Sequence, residues 1–199
     1  MKKVFALILV SCMLLSFAGC GEVKNAEKAV NGMFTAFKNA DLDEAQKYVN
    51  VDDITNAENE SDENTAIILK AIFEKLDYEI ISSEKIDDST VSVKTKITAI
   101  DMAPVMTEYL SKVFEYAIAN AFAEPQLTDD EYTQKIEEFL IECLSKPDLA
   151  TVTNEVDIKV VKTENNEWKI ETDANFLNAL MGGLPDISDG LNEEFNSLE

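Results

Sequence analysis

Apolar residues recur every three or four positions in the first third of the chain. This spacing runs from Val23 to Phe37, from Leu42 to Val49 and from Ala66 to Leu76, and it is typical of amphipathic helices. The segment from Val51 to Asn64 is rich in Asp, Glu and Asn, which predicts a loop or a frayed turn. The chain therefore begins with helices that each present one apolar face.

Apolar and polar residues alternate strictly from Val91 to Ala99, and apolar residues alternate with polar ones again between Val152 and Val160. With the turn residues nearby, these patterns predict two β-hairpins. The first hairpin joins Tyr78–Ile86 to Val91–Ala99, and the second joins Val152–Val160 to Trp168–Ile170. In each case the turn between the strands is rich in Asp, Asn or Ser. Each hairpin is expected to place one face in the core and the other in water.

A helical pair is predicted between the hairpins. Pro104 is acceptable in a first helical turn and opens a helix that ends at Glu124-Pro125. Thr128 and Glu131 have the spacing of a capping box, which begins the second helix. The first helix carries the apolar residues Met106, Tyr109, Leu110, Val113, Ala117 and Ala121. The second is expected to turn inward Tyr132, Ile136, Phe139, Leu140 and Cys143.

After the second hairpin, Asp173 is expected to cap a short helix from Phe176 to Met181 that Gly182-Gly183 closes. The acidic tail from residue 184 to residue 199 is expected to be poorly ordered, with a turn near Leu191 and Phe195. Helices and strands occur in separate runs, which favours an α+β fold with an antiparallel sheet of about four strands.

The charge of the chain excludes several kinds of partner. The chain has 39 acidic and 17 basic residues, which gives a formal net charge of -22. Such an acidic surface is repelled by nucleic acid and by anionic lipid headgroups. We therefore expect no nucleic-acid partner.

Histidine and arginine are both missing from the chain. Without histidine there is no Ser-His-Asp or Cys-His nucleophile system, and the commonest transition-metal ligand is absent. Without arginine there is no bidentate group for phosphate or carboxylate. We expect neither a cofactor nor a metal, and a protein that is not an enzyme.

The amino-terminal segment has the layout of a secretory signal. Met1-Lys2-Lys3 precedes an apolar run from Val4 to Leu15, and small residues follow. The last four residues, Phe17-Ala18-Gly19-Cys20, resemble the bacterial lipoprotein box, although Phe17 stands where leucine is commonest. The resemblance implies cleavage before Cys20 and attachment of diacylglycerol and palmitate to that cysteine. The alternative is an ordinary secretory signal followed by a chance cysteine.

The domain resembles a known class of bacterial lipoproteins. A helix-first chain that closes with a long strand, a turn and Asn166-Glu167-Trp168-Lys169-Ile170 is similar to the nuclear-transport-factor-2-like, or cystatin-like, class. The resemblance spans about residues 22–172 and implies a curved sheet that wraps an amino-terminal helix. The helical pair at 104–145 departs from the simplest form of that fold.

Other residues carry weaker hypotheses. Acidic clusters at 52–53, 58–63, 129–131 and 186–190 could suggest calcium, but the EF-hand spacing occurs nowhere, and helix caps or solvated faces explain them. Cys143 shares a helical face with apolar residues, which predicts a buried structural cysteine. Tyr78, Asp101 and Tyr109 are the candidates for catalysis at the mouth of a cone. Apolar residues on several sides of the 104–124 helix indicate burial or a binding groove; they are Met102, Met106, Phe114, Tyr116 and Phe122.

Together these patterns predict a lipid-anchored binding module on the extracytoplasmic face of the cell membrane. The expected divisions are a signal peptide (1–19), a lipidated tether (20–25), one α+β domain (26–183) and the acidic tail (184–199). Its expected partners are the membrane, through lipid on Cys20, and a small apolar ligand, a peptide or an envelope protein. The alternatives are a hydrolase or isomerase that uses carboxylate and tyrosine, and a purely structural envelope component.

Overall fold

A computed structural model describes residues 20–55, 63–124 and 127–196. In these ranges the chain forms helices and one four-stranded sheet. The helices are α1 (Cys20–Lys38), α2 (Leu42–Ala45), α3 (Asp52–Thr55), α4 (Glu63–Ile72), α5 (Met102–Ala121), α6 (Asp129–Leu144), α7 (Ala174–Leu180) and α8 (Leu184–Asn196). The strands are β1 (Asp77–Lys85), β2 (Thr90–Ile100), β3 (Thr151–Lys162) and β4 (Trp168–Ile170).

The strands follow one another across the sheet in chain order, and every neighbouring pair is antiparallel. The longest pairing joins β2 to β3, from Thr90 opposite Val161 to Ile100 opposite Thr151. The β1–β2 register shifts between Ile80 and Ser82, which is a β-bulge. The predicted α+β class with four antiparallel strands is confirmed, whereas the finer resemblance to the nuclear-transport-factor-2-like class stays a prediction.

The core lies between one face of the sheet and the long helix α1, as the two periodicities predict. The apolar stripe of α1 is fully buried at Val30, Phe34 and Phe37. It meets the inward-facing residues of β2, which alternate with more accessible polar ones. These inward residues are Val91, Val93, Thr95, Ile97 and Ala99.

Gly32, in the middle of α1, has a packing role. A Cβ atom at this position would lie 2.4 Å from the ring of Tyr48. Glycine inside a helix costs some helix propensity. Here, however, the absence of a Cβ atom lets the Tyr48 ring lie directly against α1. This contact holds the segment after α2 against α1.

Two segment boundaries differ from the expectations. Helix α1 already begins at Cys20, so residues 20–25, which were expected to form a tether, are helical. The tail was expected to be poorly ordered, and this is wrong for residues 184–196, which form α8. Leu184 and Ile187 of α8 pack against the core, so an apolar face stabilises a helix that is otherwise polar.

Helices α5 and α6 form an arm whose base alone enters the core. The buried residues of α5 are Met102 and Val105 in its first turn, and those of α6 are Cys143 and Leu144 at its end. Asp101 caps α5 by accepting a hydrogen bond from the backbone N–H of Ala103, at 3.1 Å. The rest of both helices is half-buried or exposed, so the arm extends away from the sheet.

Candidate functional site

The outward side of α5 carries a row of large apolar side chains. Leu110, Phe114, Ile118 and Phe122 follow one another at intervals of four, and their exposed fractions are 38%, 68%, 47% and 87%. Residues four apart on a helix are neighbours on its surface. We call this row and the small residues beside it the outer face of the arm. Single exposed apolar residues are ordinary, whereas a contiguous exposed row is a candidate interaction surface.

The small polar residues of the outer face do not offer free hydroxyl protons. The Thr107 hydroxyl donates to the backbone carbonyl of Ala103 at 2.8 Å, and the Ser111 hydroxyl donates to the carbonyl of Thr107 at 2.9 Å. By helical geometry the charged residues of α5, Glu108, Lys112 and Glu115, lie to one side of this row. The outer face is therefore uncharged on a protein whose formal charge is -22.

The opposite side of α5 is held against α6 by aromatic rings. The Tyr116 ring stacks on Tyr132 with centroids 5.8 Å apart and meets the edge of Phe139 at 5.4 Å. The ammonium groups of Lys112 and Lys135 lie 5.8 Å and 5.4 Å from the centroid of Phe139. These contacts fix the rotation of α5, so the uncharged side faces away from the domain.

Ion pairs brace the base of the arm. Lys112 contacts Glu142 at 2.9 Å, and Lys146 contacts Glu108. The carboxylate partner raises the pKa of each lysine, mainly through its hydrogen bond. The cationic groups beside α5 are therefore paired with α6 or with Glu108 and are not directed to the outer face.

Burial of this helix was predicted incorrectly. The apolar residues on several sides of α5 were expected to be buried or to line a binding groove, and burial is wrong for Phe114 and Phe122, which are exposed. Only the first turns of the helix reach the core. Helical periodicity alone does not reveal where a helix leaves its support.

The three catalytic candidates, Tyr78, Asp101 and Tyr109, have separate structural roles. The Tyr78 hydroxyl donates to Oδ1 of Asn31 at 2.7 Å, and its ring stacks on Phe34. Asp101 caps α5. Tyr109 is half-buried, and burial raises the pKa of its phenol, with smaller contributions from Tyr132 and Glu137. The described contacts do not bring these three groups together.

The structure tests the prediction for Cys143 but not the prediction for Cys20. Cys143 is buried and forms no disulfide, and burial raises the pKa of its thiol, as expected for a structural cysteine. Cys20 is the first residue of α1, and its lipidation stays a prediction.

Several acidic clusters serve as helix caps or polar contacts. Glu131 completes the predicted capping box with Thr128, and Asp186 accepts a hydrogen bond from the Asn178 amide at 2.8 Å. Asp53 accepts hydrogen bonds from the Asn50 amide and the Thr172 hydroxyl. Residues 56–62, which contain most of the 58–63 cluster, lie outside the described residues. No group of three metal-ligating side chains occurs in the part of the chain that the structure describes.

The fold and this site define an α+β domain with a projecting helical arm. Neither a protein-family model nor a curated protein matches the chain. Among solved structures it is similar to ycdA, a candidate lipoprotein from Bacillus subtilis, with 18% identity and a TM-score of 0.42. The alignment covers 71% of this chain and 46% of that one, so the chain spans less than half of that protein. This likeness is too low to carry a fold or a function over.

Among the described residues, no helix is both long enough and apolar enough to cross a bilayer.

Proposed function

We propose that this protein is a non-catalytic interaction module that is anchored by lipid on Cys20 to the extracytoplasmic face of the cell membrane. The observation that supports an interaction role is the uncharged outer face of the arm, with Phe114 and Phe122 largely exposed. The separate use of Tyr78, Asp101 and Tyr109 in packing and capping supports a role without catalysis.

The partner that fits the outer face is a protein surface with an apolar strip flanked by lysine or arginine. Burial of Leu110, Phe114 and Ile118 would contribute most of the affinity. The exposed Glu115 lies beside the strip, whereas Glu108 is paired with Lys146, and the chain as a whole is strongly acidic. A basic partner is steered toward this surface, whereas a second copy of the chain or an anionic bilayer is repelled.

Site-specific photo-crosslinking in the intact bacterium tests the partner. A photoreactive amino acid replaces Phe114, and the matched control replaces Lys96, an exposed residue of β2 on the sheet side that faces away from the core. We expect a discrete protein adduct from position 114 and none from position 96. Ile118→Asp should abolish the adduct without unfolding the domain, because Ile118 is exposed.

The chemistry of the adduct decides the proposal. Mass spectrometry of the linked peptide should show an apolar segment with basic neighbours. Adducts only with lipid, only with a second copy of the chain, or with an acidic segment would contradict it.

Anchoring has its own test. Cys20→Ala should leave the protein in its signal-bearing form or release it from the membrane fraction, because the lipid would have no attachment point. Cys143→Ala is the matched control, since that thiol is buried in the domain. If Cys20→Ala fractionates and migrates like the parent protein, the lipoprotein interpretation is wrong.

A further inference from the structure

A groove separate from the outer face lies where α8 meets the body of the protein. Its volume is about 400 Å³, and it lies between α3, the base of α5, α7 and α8. This volume is within the range of about 300–1,000 Å³ that small-molecule sites occupy. The apolar residues lining it are Ile54, Met106, Leu177, Met181, Leu184, Pro185 and Ile187.

The charged residues that line the groove are all negative. Asp53, Ser188 and Asp189 complete its lining, and no lysine takes part. The Asp53 carboxylate is held in place, because Oδ1 accepts from the Asn50 amide at 2.8 Å and Oδ2 accepts from the Thr172 hydroxyl at 2.6 Å. A ligand carboxylate or phosphate would meet only negative charge here, whereas a ligand cation would lie between two carboxylates.

A backbone hydrogen bond joins two of the elements that line the groove. Gly182, with φ of 59°, accepts a hydrogen bond at its carbonyl from the backbone N–H of Met102, at 3.0 Å. This bond ties the α7–α8 junction to the start of α5, so Met106 and Met181 lie in opposing elements of the lining. Methionine side chains adapt to ligands of different shape.

We propose that this groove binds a cationic amphiphile, a small molecule with an apolar chain and an amine or quaternary ammonium head. The chain occupies the apolar lining, and the head lies beside Asp53 and Asp189. The inference is independent of the proposed function, because it concerns a different surface and a different class of ligand.

Calorimetric titration of the full domain with dodecyltrimethylammonium, below its micelle concentration, tests the groove. We expect one saturable site. Two probes separate the contributions: dodecanoate has the same chain with a negative head, and tetramethylammonium has the head without the chain. Dodecanoate should bind at least about tenfold more weakly, and tetramethylammonium should show no saturable binding.

Variants show whether the binding occurs in the groove. Ser188→Trp places a large ring at an exposed lining position and should abolish binding without disturbing the core. Asp189→Asn should weaken binding by about threefold, as expected for one exposed charge pair. Asp148→Asn removes the same charge from an exposed position outside the groove lining and should change the affinity by less than about twofold.

Three results would overturn the proposal. The first is equal affinity for dodecanoate. The second is binding that Ser188→Trp leaves unchanged. The third is non-saturable binding that Asp189→Asn and Asp148→Asn reduce equally, since this would reflect only the net charge of the protein.

Discussion

Two consecutive glycines at the α7–α8 junction differ in what a side chain would meet. Gly182 and Gly183 both have positive φ, at 59° and 88°, a region that L-residues seldom adopt. A Cβ atom on Gly182 would lie 1.7 Å from the carbonyl oxygen of Ile100, whereas nothing lies within 4 Å of one on Gly183. The first glycine is therefore required by a close backbone approach as well as by its dihedral angles.

This difference predicts unequal effects of the same substitution. Gly182→Ala should lower the free energy of unfolding by about 3 kcal/mol, because backbone must move in addition to the unfavourable φ. Gly183→Ala should cost only about 1 kcal/mol, since the dihedral angle is its sole penalty. Urea unfolding of the two variants measures both values. Equal losses would mean that the Ile100 carbonyl is not a steric barrier.

Among the elements, the arm is held less firmly than the sheet. Beyond its base it depends on the rings of Tyr116, Tyr132 and Phe139 and on a hydrogen bond from the Asn64 amide of α4 to Glu137, whereas β2 is paired on both sides and buried on one face. Regions with few buried apolar contacts open with lower free energy than the core. We therefore expect the amides of α5 beyond Tyr116 to exchange with solvent hydrogen sooner than those of β2.

The capping box of α6 allows a local test of whether the arm opens more easily than the sheet. The Thr128 hydroxyl oxygen accepts a hydrogen bond from the Glu131 backbone N–H at 3.3 Å, and the Glu131 carboxylate accepts one from the Thr128 backbone N–H at 3.0 Å. Thr128→Ala should cost about 1 kcal/mol and speed hydrogen exchange in the first turns of α6 but not in β2. Thr133→Ala, at an exposed position inside the same helix, is the matched control and should not speed exchange there. A uniform increase across the sheet would show that arm and sheet open together.

Protonation of Glu131 should weaken the capping box of α6. Hydrogen bonds from the Thr128 backbone and hydroxyl lower the pKa of Glu131 in the folded protein. The stabilisation is therefore present above the unfolded-state pKa and is lost as the pH falls through the lower folded-state value. Hydrogen exchange of the first turn of α6, corrected for its intrinsic pH dependence, should rise over that acidic range. Glu131→Gln should remove this pH dependence.

The sequence predicts the elements well where a periodic face coincides with burial. The stripe of α1 and the alternation of β2 are such cases. The prediction failed at α8, because acidic residues obscured the spacing of Leu184 and Ile187. It also failed on α5, because apolar residues on several sides of a helix indicate burial equally well when one side faces solvent. The groove needs residues from four helices, and no local pattern brings those residues together.

For the whole molecule, the excess of acidic charge opposes the local ion pairs. Pairs such as Lys38–Asp77 and Lys159–Glu171 join substantially exposed side chains, and such pairs contribute at most about 1 kcal/mol each. The 39 acids outnumber the 17 lysines, so the lysines cannot neutralise most of the carboxylates, and these repel one another. This repulsion is relieved when the chain unfolds and expands.

Repulsion should therefore dominate the salt dependence of stability. We expect the melting temperature to rise when NaCl is added up to about 0.15 M, where the screening length is about 8 Å. LiCl and KCl at the same ionic strength should give the same rise, because screening depends on concentration and valence, whereas binding of one ion in a specific site would favour one salt. A fall in melting temperature would mean that the ion pairs outweigh the net charge. That result would also weaken the case for a basic partner, since the acidic surface would then attract other proteins less than its composition suggests.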